Sequence, residues 1–458
     1  MRTKSSPQCY IDFTPESTHK IVAQYRDKYN AISNELDANP KVLTYVHQDL
    51  KKLSSSKKGR KSDYSSEQIL RVLIVMFVEN EDYRGTVVCI ANSAFHQHFV
   101  RLNNRPVMDF TFLCKAFGVI QAETWKKLNA VLSRYASDEE KISPEKLRED
   151  TTAVECNIHY PTDSSLLWDS FRTLARLLQS VQSDLNRMGM AHRFHTAKVK
   201  KLAHCISRNG GKRSKCAQRK MKTTYKILIE RVRWIVEVAG RAEVLLRSRF
   251  DPVWNAVADE LAHYSRLIEQ IIDQAQRRVF DGETVPSSEK IYSLFEEHTE
   301  LLKRGKADKP VEFGHKVLIA ETGEKFILHY DTYPRQPADN ALVDETLDTH
   351  QKVFGRYPDV FAADKGFYES MDKIAQLEAK ITTVSIAKKG RRTQAQKERE
   401  HSDAFRDGQR FRAGSEGTIS VLKRAFKLNR CRFKGFKNFA ASIGCAVFCH
   451  NLVTLTRC

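Results

Sequence analysis

From Ser164 to about Lys303 the sequence reads as helix almost without interruption, and strand-like segments lie on both sides of it. The segment before it, Leu147 to Ile158, has β-branched residues at Thr151, Thr152, Val154 and Ile158, carries Asp150 near its start, and is ended by Pro161. Thr162 or Asp163 can then cap the helix carrying Leu166, Leu167, Phe171, Leu174 and Leu177, and capping is the expected role of Asp163. The segments after it are a hairpin from Lys316 to Tyr330 turning through Gly323, a strand ending at Asp364, and a strand from Ile381 to Ile386. Helices are expected near Asn340–Phe354, Ser370–Ala379 and Phe436–Leu455, with a basic loop from Lys388 to Asp407. The chain is therefore of the α/β class, and its sheet must close across a large helical insertion after the first strand.

A chain of 458 residues allows two or three domains, each able to bury a core. Its 76 basic and 56 acidic residues leave a formal charge of +20, which favours a polyanionic partner because lysine and arginine at phosphates release condensed counterions. The distribution sharpens this. Leu185 to Ile229 holds no Asp or Glu, yet carries Arg187, Arg193, Lys198, Lys200, Lys201, Arg208, Lys212, Arg213, Lys215, Arg219, Lys220, Lys222 and Lys226. A charge run is usually a solvated face, but one this long without acid repels itself unless it meets an anion, so it is read as a DNA-contacting surface, broken at Gly210-Gly211. The apolar run Val72–Val78 is far short of the ~20 residues that span a bilayer, and no signal-peptide core is visible, so a soluble cytoplasmic protein without membrane contact is expected. Ten irregularly spaced cysteines fit reduced thiols better than a disulfide framework.

Residues 1–62 form a lead-in, helical around Glu16 to Leu36, ending in the basic segment Lys51–Ser62, a linker or DNA-facing arm. Ser65 with Gln68 makes a capping box ahead of the apolar helix through Val78. Short helical pieces follow near Thr86–Ala91, Phe95–Leu102, Phe112–Val119 and Ala122–Tyr135, so that 63–140 reads as an all-helical, helix-turn-helix-like module or a generic helical bundle.

Near the C-terminus, Arg412, Glu416 and Lys423 fall at relative angles of roughly 0°, 40° and 20° on a helix, which puts a carboxylate between two cations on one face. Ile419, Leu422 and Phe426 define a separate apolar face. Taken alone, such a set is more often a solvated, salt-bridged stripe. Two aspartate-bearing strands, Asp150 in Asp-Thr-Thr and Asp364 in Ala-Asp-Lys-Gly-Phe, alter that weighting.

Together these blocks resemble the catalytic blocks of the DDE transposases of bacterial insertion sequences, from about Asp150 to the C-terminus. Arg412-x3-Glu416-x6-Lys423 matches the Arg-x3-Glu-x6-Lys part of that family's signature, with Gln409 where the family has Tyr, and Asn157 to Ser164 also looks like one subgroup. The resemblance implies a ribonuclease-H-like catalytic core over 141–458 with a basic helical insertion at 164–305, preceded by a DNA-binding domain at 63–140. It further implies that Asp150, Asp364 and Glu416 bind two Mg²⁺ or Mn²⁺ ions, Asp150 bridging both. Carboxylates suit such hard ions better than Cys or His. Arg412, Lys423 and Arg424 would contact DNA phosphates, as would Lys200, Lys201, Lys212, Arg213, Lys215, Arg219 and Lys220 in the insertion. The implied reaction is cleavage at the inverted-repeat ends and joining of the 3′-hydroxyl to target DNA by a homodimer. The alternatives are a standalone metal-dependent nuclease and an inactive DNA-binding derivative. Cys445, Cys449 and His450 read as core residues of an apolar helix, and Cys205, Cys216 and His204 match no zinc-ligand spacing.

Overall fold

A computed structural model describes residues 2–5, 12, 14, 15, 17–53, 62–102, 105–212, 214–303 and 310–457; most of the basic linker, and Arg213, lie outside the described residues. The chain gathers into two compact units, residues 1–157 with 314–458, and residues 158–313. It is a mixed α/β protein with a helical majority.

The first unit begins with α1 (Lys20–Ala38), α2 (Pro40–Leu50), α3 (Ser66–Val78), α4 (Tyr83–Ala91), α5 (Ala94–Val100), α6 (Phe110–Val119) and α7 (Ala122–Asp138). The expected capping box starts α3: the Ser65 hydroxyl accepts from the Gln68 N–H while the Gln68 side chain accepts from the Ser65 N–H. Asp82, Ser93 and Asp109 cap α4, α5 and α6. Because α3 is buried on nearly every side, Arg71 within it is enclosed too, and its guanidinium donates to Glu67 at 3.1 Å and Asp37 at 3.0 Å.

Strand β1 (Lys146–Cys156) follows, after which the chain enters the second unit. That unit is helical: α8 (Asp163–Ser180), α9 (Gln182–Arg187), α10 (Thr196–Asn209), α11 (Lys215–Arg247) and α12 (Pro252–Gln276), with a short strand β2 (Glu300–Lys303). One apolar core joins α8, α10, α11 and α12, from Leu166 and Phe171 through Leu228 and Val232 to Ile268 and Ile271. The break between α10 and α11 falls at Gly210-Gly211 as expected. Thr162, rather than Asp163, is the N-cap of α8; Asp163 stands in the first turn and pairs with Arg278.

The first unit resumes with β3 (Val311–Thr322), β4 (Ile327–Thr332), α13 (Val343–Phe354), β5 (Val360–Ala363), α14 (Met371–Glu378), β6 (Thr383–Ile386), α15 (Gln394–His401), α16 (Asp403–Ala413), α17 (Ser415–Ala425), β7 (Arg430–Cys431) and α18 (Phe436–Leu455). The strands lie in the order β4-β3-β1-β5-β6. Strand β1 is antiparallel to β3, with Arg148 opposite Glu321 and Asp150 opposite Ile319, and parallel to β5, with Glu149 opposite Ala363. Strand β6 continues the parallel half, β4 pairs antiparallel with β3, and β7 joins the end of β1. Gly314 permits the close approach of β3, because a Cβ there would stand 2.0 Å from the Val154 carbonyl oxygen.

Two expectations are corrected. The basic loop at 388–407 is largely helical: Thr393 and Ser402 cap α15 and α16, but their apolar residues are too few for periodicity to reveal them. The helix carrying Arg412, Glu416 and Lys423 is two helices, broken at Gly414, so Arg412 lies on α16 and Glu416 on α17.

Helix α18 is long and apolar enough to cross a membrane, yet 89% of that apolar stretch is buried inside the protein, as in a core helix. Gly444 allows its contact with α7, since a Cβ would come within 2.5 Å of Trp125 Cβ. The Asn451 side chain completes the start of β4: its Oδ1 accepts from the Ile327 N–H at 2.9 Å, and its Nδ2 donates to the Ile327 carbonyl at 2.8 Å. Asn451→Leu leaves both backbone groups buried without partners, so urea unfolding should show a loss of about 2–4 kcal/mol.

Candidate functional site

Side chains alternate along β1, so Arg148, Asp150 and Thr152 share one face and Glu149 and Thr151 the other. Helices α16 and α17 cover the first face. There the Ser415 hydroxyl donates to Asp150 Oδ2 at 3.1 Å and Arg412 Nη1 lies 4.0 Å from the same oxygen. Asp364 is the first residue beyond β5, and the pairing of Glu149 with Ala363 sets it next to Asp150 on the neighbouring strand, where strands run about 4.8 Å apart. Glu416 follows Ser415 in the first turn of α17 and is exposed. The fold thus gathers the two aspartates on adjacent strands and docks the turn bearing Glu416 on one of them.

Burial pushes the Asp150 carboxyl above the ordinary carboxylate range. The Ser415 hydroxyl, the Thr151 N–H and the Arg412 guanidinium pull it back, while the charge of Asp364 raises it further. The acidic side chains gathered here offer carboxylate oxygens, the donor type preferred by a hard divalent cation.

The remaining sequence-selected residues divide between the units. In the first, Arg412 faces Asp150, Lys423 is half-buried on α17, and Arg424 is exposed near its end, with its carbonyl accepting from Asn80 Nδ2 at 3.0 Å. In the second, Lys200, Lys201, Lys212, Lys215, Arg219 and Lys220 are all exposed on or beside α10 and α11, and none has an ion-pair partner among the described residues. Arg213 lies outside the described residues. Cys445 and Cys449 are buried in α18, and burial lowers the pKa of His450 there to about 4.

Sequence reasoning missed Arg148 and left Gln409 without a role. Arg148 donates to Glu321 at 2.7 Å and to the Phe411 carbonyl at 2.6 Å. Its position two residues before Asp150, on the same strand face, was the one available signal. Gln409, at the position where the resemblance expects Tyr, donates to the Ser385 carbonyl at 2.7 Å and more weakly to that of Ala363 at 3.4 Å. It thereby ties α16 to the ends of β5 and β6, immediately before Asp364.

Residues 274–452 match the family described as the transposase DDE domain. That stretch, less than half of the chain, is similar to the DDE domain of transposases of the insertion-sequence type. The matched stretch contains Asp364, Arg412, Glu416 and Lys423, and begins well after Asp150. No curated protein and no solved structure matches the chain.

On the opposite face of β1, Glu149 is fully buried and its carboxyl is pushed up to about 8, chiefly by burial and further by Asp339, Asp150 and Asp344. The folded state therefore holds a proton that the unfolded chain releases near its ordinary value of 4.5. This contribution to stability is complete below pH 4.5 and is lost as pH rises towards 8, by at most about 1.4 kcal/mol per pH unit. Glu149→Gln should flatten the stability profile in that window, as measured by urea unfolding at several pH values in chelator.

Proposed function

We propose that this protein is a transposase that binds the inverted-repeat ends of its element, cleaves the DNA, and joins the 3′-hydroxyl ends to target DNA. The observation that carries the reading is the juxtaposition of Asp150 and Asp364 on neighbouring parallel strands, with the Ser415-Glu416 turn docked on Asp150. The strand order and directions support a ribonuclease-H-like core, in which functional groups gather where parallel strands end.

The donor set fits divalent metal. A desolvated carboxyl beside a second carboxylate is a place where Mg²⁺ or Mn²⁺ relieves both burial and repulsion. Asp150, Asp364 and Glu416 would hold the ions. The chemistry supplied by two bound ions is activation of the attacking oxygen and stabilisation of charge on phosphorus and the departing oxygen. The protein's own groups position and balance charge: Ser415 orients the Asp150 carboxylate, Gln409 steadies the strand end before Asp364, and Arg412 offsets Asp150 until DNA phosphate arrives. Exposed Glu416 can meet ions and DNA from the solvent side. Lys423 and Arg424 extend phosphate contact along α17, and the exposed lysines and arginines of α10 and α11 hold duplex backbone. The N-terminal helices would recognise the element's ends, and two copies of the chain would hold both ends together on nucleoid DNA in the cytoplasm.

The test is Mn²⁺-dependent cleavage of a labelled duplex carrying the element's end. Asp150→Asn and Glu416→Gln keep the shapes of the side chains and remove ligating charge, so both should bind the duplex while cleavage drops by at least about 100-fold. Equal cutting by all three proteins overturns the assignment. Cutting without end specificity favours the standalone nuclease, and specific binding without cutting by native protein favours a binding-only derivative. Lys215→Glu with Arg219→Glu and Lys220→Glu should weaken binding to all duplexes and reduce the slope of log affinity against log salt by about 0.9 for each phosphate that is no longer neutralised.

A further inference from the structure

We infer that Arg148 is a positioning residue for the carboxylate site, acting with Glu321 as a buried clamp on the elbow between α16 and α17. The inference rests on the reading of Asp150, Asp364 and Glu416 as the metal-binding set, and concerns what holds those carboxylates in register.

Arg148 and Glu321 stand opposite each other on β1 and β3, with side chains only 5% and 1% exposed. Burial raises the Glu321 carboxyl, while Arg148 and the Thr418 hydroxyl pull it back. An ion pair so placed in the interior adds little net stability compared with apolar residues of the same size, so its geometry is its more informative property. The Arg148 guanidinium has two tasks. Its Nε meets Glu321 at 2.7 Å, and its Nη1 donates to the Phe411 carbonyl at 2.6 Å, with the guanidinium carbon 4.6 Å from the centre of the Phe411 ring.

The bond to Phe411 falls where the helix breaks. A Cβ at residue 414 would lie 2.2 Å from Arg148 Nη1, 2.9 Å from Cζ and 3.2 Å from Nη2. The planar guanidinium therefore occupies the space a side chain at 414 would need, and any Cβ there would have to displace it. One residue beyond the break, Ser415 donates to Asp150. Two residues of one strand face, Arg148 and Asp150, thus grip the elbow on either side of Gly414: at Phe411, near the end of α16, and at Ser415, which begins α17. Glu416 is the next residue. Its distance from Asp150 is set by this double attachment, since α17 enters as a rigid turn from a fixed point.

The proposal separates charge from shape. Lysine at 148 keeps the charge and one bond to Glu321, but it lacks the planar fork that bonds two acceptors, stacks on Phe411 and fills the space beside Gly414. Arg148→Lys should therefore stay folded and bind duplex as native protein does, yet bind Mn²⁺ about tenfold or more weakly by isothermal titration and cleave more slowly, with cleavage partly restored by excess Mn²⁺. Arg148→Met with Glu321→Met should recover thermal stability relative to Arg148→Met alone without recovering Mn²⁺ affinity. A metal-free readout tests the clamp directly: Gly414→Ala should lower the Tm of native protein far more than that of Arg148→Ala, which makes room for the added methyl. Equal effects of Gly414→Ala in both backgrounds, or native Mn²⁺ affinity in folded Arg148→Lys, overturn the clamp. Unchanged Mn²⁺ affinity in Asp150→Asn overturns instead the carboxylate reading on which the inference rests.

Discussion

A buried guanidinium needs acceptors and a flat surface in place of its hydration, and Arg148 finds them for its Nε, its Nη1 and its face, while its Nη2 is buried without a hydrogen-bond partner among the described residues. Glu321 takes one edge of it, the Phe411 carbonyl takes another, and the Phe411 ring covers its face. Those contacts join two strands at the centre of the sheet to the junction of two helices. Asp150, two residues along the same strand face, docks on the adjoining Ser415. The position of β1 between β3 and β5 then propagates outwards, placing Asp364 beside Asp150 at the end of the neighbouring parallel strand.

The two faces of β1 treat carboxylates differently. Asp150 is raised by burial, but a hydroxyl, a backbone N–H and a guanidinium oppose that rise. Glu149, one residue away on the other face, has a larger desolvation and more acidic neighbours, and holds its proton. Alternation along a strand thus puts two neighbouring carboxylates in different surroundings with no change of backbone. Glu416 differs from both, being exposed on the first turn of a helix that is anchored through its neighbour.

The helical unit obeys simpler physics. Its apolar residues meet in one core along α8, α10, α11 and α12, and the lysines and arginines without acidic neighbours in sequence remain exposed because nothing nearby compensates them. The helical character and the basic surface were legible in the sequence, as were the Ser65–Gln68 box, the break at Gly210-Gly211, the hairpin through Gly323 and the full extent of α18, whereas the shared core was not. The helices α15 and α16 were not, because their caps are local signals and their few apolar residues do not repeat.

The sequence by itself determined that the chain is α/β, that a basic helical stretch interrupts it after the first strand, and that Asp150, Asp364 and Glu416 stand in blocks resembling those of a DDE transposase. Periodicity, caps and spacing are properties of neighbours in the chain, and these are their products. Only the tertiary structure decided that Arg412 faces Asp150, that Gln409 ties helix α16 to the ends of two strands, and that Gly414 breaks a helix to admit Arg148. The reason is that each of these depends on a partner far away in sequence: Phe411 and Arg148 meet across 263 positions, and no local pattern records which carbonyl a buried guanidinium will find.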